Sequence, residues 1–258
     1  MSRLYFQCAA RSAVGLVRNG NEDSALTGSQ LIAVADGMGG HAGGEVASSV
    51  AINTLSEIAP TFINPDIDSE SASDLFLNSL HTIDGQIRAV ASDEPQLAGM
   101  GTTLTSLFIS GSEISLLHVG DSRAYRLRGN DLEQLSADHT VLQELLDKGV
   151  ISESEAQVHP QRSMLTQALM GEGNLEPSLH VFEGKVQDRY LLCSDGLSGV
   201  LTEKEIKTLI KGKDAADAVD ALIDATYING APDNVTIVIA DIVEESSTQV
   251  EKLGAAKP

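Results

Sequence analysis

Residues 101–135 read GTTLTSLFIS GSEISLLHVG DSRAYRLRGN DLEQL. Thr103, Thr105, Leu107 and Ile109 alternate with Leu104, Ser106 and Phe108, the two-residue period of a strand. Gly111-Ser112 and Gly129-Asn130 are hairpin turn pairs, the first leading into Glu113–Val119 and the second separating Ala124–Arg128 from Asp131–Leu135. The stretch therefore predicts an antiparallel meander rather than a series of βαβ units. Upstream, Leu31–Ala35 has the length of a buried strand and runs into Asp36-Gly37-Met38-Gly39-Gly40-His41. A helix follows with Val46, Ala47, Val50, Ala51, Thr54 and Ile58 on one face. Pro60–Ser73 is polar and reads as a loop. Phe76, Leu80, Ile83, Ile87 and Val90 recur at helical spacing. Downstream, Thr140-x-x-Gln143, Ser152-x-x-Glu155 and Thr202-x-x-Glu205 have capping-box spacing, and Gly149 stands where the first of these helices should stop. Tyr190–Cys193 predicts a strand ending in Ser194-Asp195-Gly196. Val219, Leu222 and Ile223 mark another helix, closed by Gly230, and Val235–Val243 a long last strand. Antiparallel strands with helices segregated between them predict an α+β fold. Residues 1–243 read as one domain, and 244–258 as a polar tail expected to fray.

Composition narrows the function. The chain of 258 residues carries 17 Lys and Arg against 37 Asp and Glu, a formal charge of −20. Such a body repels phosphate backbones at long range. Aromatics are 3% with no Trp, so base stacking is disfavoured as well and no nucleic-acid partner is expected. The core must be aliphatic. Two cysteines, Cys8 and Cys193, are too few for a disulfide framework or a four-ligand zinc site, which predicts a reduced, cytoplasmic setting. No window of 18 apolar residues occurs, so no membrane span is expected.

Four acids share one context. Asp36, Asp121 and Asp195 each follow a hydrophobic strand, and Asp233 sits in the turn before the last one. Any one Asp-Gly after a strand is by itself a turn signal. Four at the ends of separate strands would repel one another unless a cation neutralised them, and carboxylate oxygens suit hard ions such as Mg²⁺ or Mn²⁺. The glycines after Asp36 and Asp195 read as leaving the ion open to backbone and solvent. His41 is open to two readings, a general acid beside a metal or a surface residue. Arg18, in Arg18-Asn19-Gly20-Asn21-Glu22-Asp23, could form a surface ion pair or grip a phosphate with its guanidinium fork. No HExxH or H-x-H spacing is present, which disfavours a zinc hydrolase.

Six motifs now stand in order: Arg18-x-x-Asn21-Glu22-Asp23, Ala35-Asp36-Gly37-Met38-Gly39-Gly40-His41, Gly99-Met100-Gly101-Thr102-Thr103, Val119-Gly120-Asp121-Ser122-Arg123, Leu192-Cys193-Ser194-Asp195-Gly196-Leu197-Ser198 and Pro232-Asp233-Asn234-Val235-Thr236. Together, over residues 11 to about 243, they resemble the metal-dependent Ser/Thr protein phosphatases of type 2C, in their bacterial branch. The resemblance implies a four-layer αββα sandwich of two antiparallel sheets flanked by helices, with the metals at one end. It implies that Asp36 bridges two Mn²⁺ or Mg²⁺ ions, that the Gly37 carbonyl completes one shell and that Asp195 and Asp233 hold the other ion. Glu22 and Asp23 would support the site, Arg18 would clamp the phosphate, and His41 or a metal-bound water would protonate the leaving group. Asp121, with Asp195 and Ser163, would hold a third ion. The implied activity is hydrolysis of phosphoserine and phosphothreonine in proteins by attack of a metal-bridging hydroxide, reversing a cognate bacterial Ser/Thr kinase, in a monomeric enzyme.

The chain also departs from the family pattern. Gly199 stands where many members carry an Asp associated with the third metal. Residues 138–170 match a helical flap beside the site. A non-catalytic member of the family should have lost a metal acid, yet Asp36, Asp195 and Asp233 are all present. A nuclease would need a basic stripe that the sequence lacks.

Overall fold

Strand residues on both faces of both sheets are apolar, and the architecture follows from where each face is buried. The computed structural model describes residues 3–40, 42–152, 155, 164–175, 179–246 and 248–257. The strands are β1 (Tyr5–Ala13), β2 (Asp23–Thr27), β3 (Leu31–Met38), β4 (Gly101–Thr102), β5 (Leu104–Ser110), β6 (Glu113–Val119), β7 (Arg123–Arg128), β8 (Asp131–Gln134), β9 (Leu179–Glu183), β10 (Arg189–Cys193), β11 (Val235–Val243) and β12 (Glu251–Gly254). The helices are α1 (Gly43–Ile58), α2 (Ser69–Asp93), α3 (Val141–Asp147), α4 (Asp195–Ser198), α5 (Glu203–Ile210) and α6 (Ala215–Ile228). One sheet has the order β1-β11-β10-β7-β8. The other runs β12-β2-β3-β5-β6-β9, with β4 paired to β3. Every pairing is antiparallel.

Three apolar layers make the sandwich. Ile32, Val34, Leu107, Leu116, Tyr190, Leu192, Val238 and Ala240 fill the space between the sheets. The alternate residues Leu31, Ala33 and Ala35 of β3 face α1 and α2. Val235, Ile237 and Ile239 of β11 face α5 and α6. Period-two alternation thus sorts apolar side chains into two different cores, which is why these strands read as continuous hydrophobic runs. The α+β, four-layer expectation holds.

Four details differ from the sequence reading. Residues 101–135 are not one meander. The β5–β6 hairpin lies in one sheet and β7–β8 in the other, and the chain crosses between them at Gly120-Asp121-Ser122. Gly120 makes the crossing with φ +106°, a conformation side chains resist. Second, the polar stretch from Pro60 is not all loop: α2 starts at Ser69, where Asp68 accepts the Ser71 N–H at 2.9 Å. Third, the buried residues of α1 are Gly43, Gly44, Ala47, Ser48, Ala51, Ile52, Thr54 and Leu55, so Ala47, Ala51 and Thr54 lie inward as expected. Small side chains let the helix approach the sheet, so Val46, Val50 and Ile58 sit at its flanks, partly buried. Fourth, the tail is not frayed where it is described. Glu251–Gly254 pair with β2 as an edge strand, and Ala256 is buried. Backbone pairing and two apolar contacts suffice there, a signal that polar composition hides.

Candidate active site

The crossing between sheets and the ends of the strands bring the predicted acids to one end of the sandwich. Asp23 and Asp36 are direct cross-strand partners on β2 and β3. Asp195 opens α4 straight after β10, and Asp233 precedes β11 beside it. Asp121 arrives from the crossing. Asp36, Asp121, Asp195, Asp233 and Glu22 each keep a solvent-facing edge, whereas Asp23 lies beneath them at 1% exposure.

Their charges are mutually unfavourable. Burial and then repulsion from Asp23, Asp195, Asp121 and Asp233 push the Asp36 carboxyl well above the usual range. Asp121 is pushed up to about 7 by burial and then by Asp195 and Asp138. Asp195 is raised by burial and Asp233, against a hydrogen bond shared with Asp36. Asp23 is pushed up to about 7 by burial, although Ser194 and Thr236 hydrogen-bond to it. Glu22 is raised by burial too, partly relieved by Arg18.

The backbone around the acids is fixed by neighbours to which sequence reading gave no role. Thr103 Oγ1 accepts the Asp36 N–H at 2.9 Å and pairs with Ser122 Oγ at 2.8 Å, and the Asp36 carbonyl accepts from Thr103 N–H and Thr102 Oγ1. Ser194 Oγ donates to Asp23 Oδ2 at 2.7 Å and accepts the Thr236 N–H. The carboxylate of Asp138 receives a forked ion pair from Arg123, and His139 Nδ1 accepts the Gly120 N–H at 3.1 Å, so the crossing loop is tied to the first residues of the flap region. The signal for Thr103 and Ser194 was their place inside the motifs, one residue from an acid or paired across strands. The glycines also let the backbone pack closely. A Cβ on Gly37 would run into the carbonyl oxygens of Gly44 and Glu22, and one on Gly196 into that of Asn234. They permit backbone segments to pack together beside the acids.

Arg18 is ion-paired in the structure. Its Nη2 donates to Asp233 Oδ2 at 2.6 Å, with both side chains partly exposed. His41 and Ser163 lie outside the described residues. Cys8 and Cys193 are free thiols pushed up to about 12 by burial, so neither offers a thiolate nucleophile.

Do these residues fit a divalent cation? Among the described residues, no three His, Cys, Asp or Glu side chains stand closed around one point as a ready ligand group. The carboxyls meet in pairs, Asp36 with Asp195, and Arg18 holds Asp233. Two observations nevertheless match a hard cation. The donors are all carboxylate or carbonyl oxygens whose crowding raises their affinity for positive charge. Asp23 Oδ1 is buried with no hydrogen-bond partner. The residues fit.

A two-sheet sandwich with carboxyl groups at the strand ends of both sheets, and an arginine over them, defines a scaffold for hard cations and an anionic ligand. The chain belongs to the protein phosphatase 2C family, which it matches over residues 20–226. It is 42% identical over 253 residues to the serine/threonine protein phosphatase PstP of Mycobacterium tuberculosis H37Rv, covering 97% of this chain and 48% of PstP. The chain therefore spans about half the length of that relative. It is 34% identical to the serine/threonine phosphatase stp of Listeria monocytogenes EGD-e, covering 93% of this chain and 96% of that one. The crystal structure of the M. tuberculosis phosphatase PstP/Ppp superimposes with a TM-score of 0.84 at 42% identity, covering 92% of this chain and 98% of that one. A PstP catalytic domain in complex with two manganese ions gives 0.84 at 40% identity, covering 93% and 99%.

Proposed function

We propose that this chain is a metal-dependent protein phosphatase that hydrolyses phosphoserine and phosphothreonine esters, reversing a Ser/Thr kinase as a cytoplasmic monomer. Residues 1–243 carry its catalytic residues, with 138–170 as the flap, and β12 beyond them completes the sheet. One observation carries the reading: acids from strand ends of both sheets converge below Arg18, and their mutual repulsion favours positive charge among them. The names of the bacterial relatives and the two manganese ions of the PstP domain support it.

Asp36, the Gly37 carbonyl, Asp195 and Asp233 would hold two Mn²⁺ or Mg²⁺ ions, and Asp121 with Asp195 a third. Bound divalent cations supply charge neutralisation and lower the pKa of water. Asp23 from below and Glu22 from the side support their neighbours' charge and orientation. Arg18, released from Asp233, presents its guanidinium fork to the phosphoryl oxygens, a geometry that suits them. The Thr103 and Ser194 hydroxyls keep the Asp36 backbone and the Asp23 carboxyl in place as charge shifts above them.

Turnover of p-nitrophenyl phosphate and of a phosphothreonine peptide, with Mn²⁺, with Mg²⁺ and with EDTA, tests this. Both substrates should turn over only with metal, and Asp36→Ala or Asp195→Ala should remove nearly all activity. Undiminished turnover in EDTA or in those variants would overturn the metal assignment. A manganese-bound chain inert on both substrates would overturn the phosphatase reading.

A further inference from the structure

Asn234 directs its whole side-chain amide at one loop. It is 4% exposed, between Asp233 and the start of β11. Its Nδ2 donates to the carbonyls of Val14 at 2.7 Å and Gly20 at 2.8 Å, and its Oδ1 accepts the Glu22 N–H at 2.8 Å. These three groups bracket residues 14–22, the loop that carries Arg18. The stem has two more ties, Leu16 N–H to the Ala231 carbonyl at 2.8 Å and Gly15 N–H to the Tyr227 hydroxyl at 3.2 Å. Beyond the stem the loop is held by the ion pair between Arg18 and Asp233. Leu16 and Val17 are 63% and 70% exposed, and Arg18, Asn19 and Gly20 are exposed. Asn21 Nδ2 also ties the returning limb to Ser12 Oγ on β1 at 2.7 Å, and Asn234 holds backbone groups of both limbs at once through one rigid amide.

We propose that Asn234 is the positioning residue for Arg18: by clamping both limbs of residues 14–22 it holds the guanidinium over the acids, where it meets the phosphoryl group of the substrate. The proposal rests on the phosphatase reading above. The chemistry is specific to an amide. Two carbonyl oxygens require two N–H donors on one atom, and the Glu22 N–H requires an acceptor on the next. An aspartate of the same shape would turn an oxygen toward both carbonyls, and alanine would leave all three backbone groups without their partner. An arginine on an unclamped loop samples many positions, and that lost order falls on substrate binding rather than on the chemical step.

The test uses the full chain loaded with manganese, with p-nitrophenyl phosphate as probe. Losing one charge-assisted contact to phosphate corresponds to about a tenfold rise in KM. Arg18→Ala, Asn234→Ala and Asn234→Asp should each raise KM by about that factor, with kcat within about twofold. Asn234→Ala in the Arg18→Ala background should add less than about twofold, because the clamp then has nothing to position. Hydrogen exchange supplies a readout independent of activity. The amides of Leu16 and Glu22 should exchange faster in both Asn234 variants, and Mn²⁺ affinity by calorimetry should hold. A fall in kcat with KM unchanged, multiplying effects in the double variant, or unaltered exchange across 14–22 would each overturn the proposal. A loss of Mn²⁺ affinity with unaltered exchange would place the effect on Asp233 and overturn it too. If wild type shows no metal-dependent turnover, the phosphatase reading fails, while the exchange result still decides the clamp.

Discussion

At the scale of single residues, hydroxyl and amide groups next to the acids do as much as the acids themselves. Thr103 is 2% exposed, and its Oγ1 serves both the Asp36 N–H and Ser122 Oγ. Thr103→Val keeps the shape and removes both partners. It should cost about 1–3 kcal/mol in a urea titration, the range for stranding buried polar groups, whereas Thr103→Ser should recover most of it. Equal midpoints for Val and Thr would mean that the Asp36 backbone is held without this hydroxyl. Arg18 offers a different kind of prediction. Its partner in the structure is Asp233, at a partly exposed position where an ion pair contributes little to stability. Arg18→Ala should therefore leave the unfolding free energy from a urea titration within about 0.5 kcal/mol of wild type while raising KM. A large destabilisation would show that the ion pair, and not ligand binding, is what the residue is for.

At the scale of elements, β12 is the piece most exposed to test. Its register runs from Glu251 opposite Thr27 to Gly254 opposite Ser24, and the Ala255 N–H donates to the Asp23 carbonyl at 2.8 Å. Gly254 has φ +68°, and a Cβ there would strike that same carbonyl. Lys252 Nζ reaches Asn53 on α1 at 2.7 Å, and Thr248 and Ser246 bond to the backbone of β1. Truncation after Val243 should strip the outer edge of β2 and speed amide exchange along Ser24–Thr27, with a loss of about 2–4 kcal/mol in unfolding free energy for the buried Ala256 and Leu253 contacts and the β12–β2 pairing. Unchanged exchange in β2 would make the strand dispensable. Why was this element not legible? Glu251-Lys252-Leu253-Gly254 has neither alternation nor an apolar run, and edge pairing asks for neither. The same limit explains the misassigned sheets. The β5–β6 and β7–β8 hairpins look alike in sequence, and only the backbone at Gly120 separates them. The helices that read clearly, around Phe76–Ile87 and after Thr202, are those with a broad apolar stripe or a complete capping box. The acids were legible because strand ends and turn residues mark their positions. Asn234, Thr103 and Ser194 stand inside the same motifs, but their roles were not legible, because hydrogen bonds to groups far along the chain leave no local pattern.

At the scale of the whole molecule, acids crowded at one end make stability depend on pH and on cations together. Unfolded aspartates titrate near 4. Asp23 and Asp121 are held up to about 7 by burial first and by neighbouring carboxylates second, and Asp36 and Asp195 are raised as well. Above pH 4 the folded state therefore retains protons that the unfolded chain has released. The stability these groups contribute is present at low pH and is lost as pH rises through their folded values. Other groups run the opposite way. Burial keeps His118 neutral down to about 3, against 6.5 unfolded, and Asp188 is lowered because hydrogen bonds from Arg128 and the Lys185 N–H outweigh its burial. Their contributions are present at high pH and are lost below about 6.5 and below the carboxylate range respectively. Between pH 6.5 and 8 the raised acids dominate. Two groups titrating near 7 correspond to about 1–2 kcal/mol over that interval, or about 2–6 °C in Tm for a chain of this size. In EDTA, Tm should fall by that amount from pH 6.5 to 8 by scanning calorimetry. Manganese at about 100 times its Kd adds about 2.7 kcal/mol, and it competes with protons for the same oxygens, so it should stabilise most at pH 8 and flatten the slope. Asp121→Asn removes one of the two groups near 7 and should roughly halve the EDTA slope. A chelated Tm that is level or rising between pH 6.5 and 8 would mean that the carboxyls do not hold their protons there, and that their mutual repulsion is relieved by some other means.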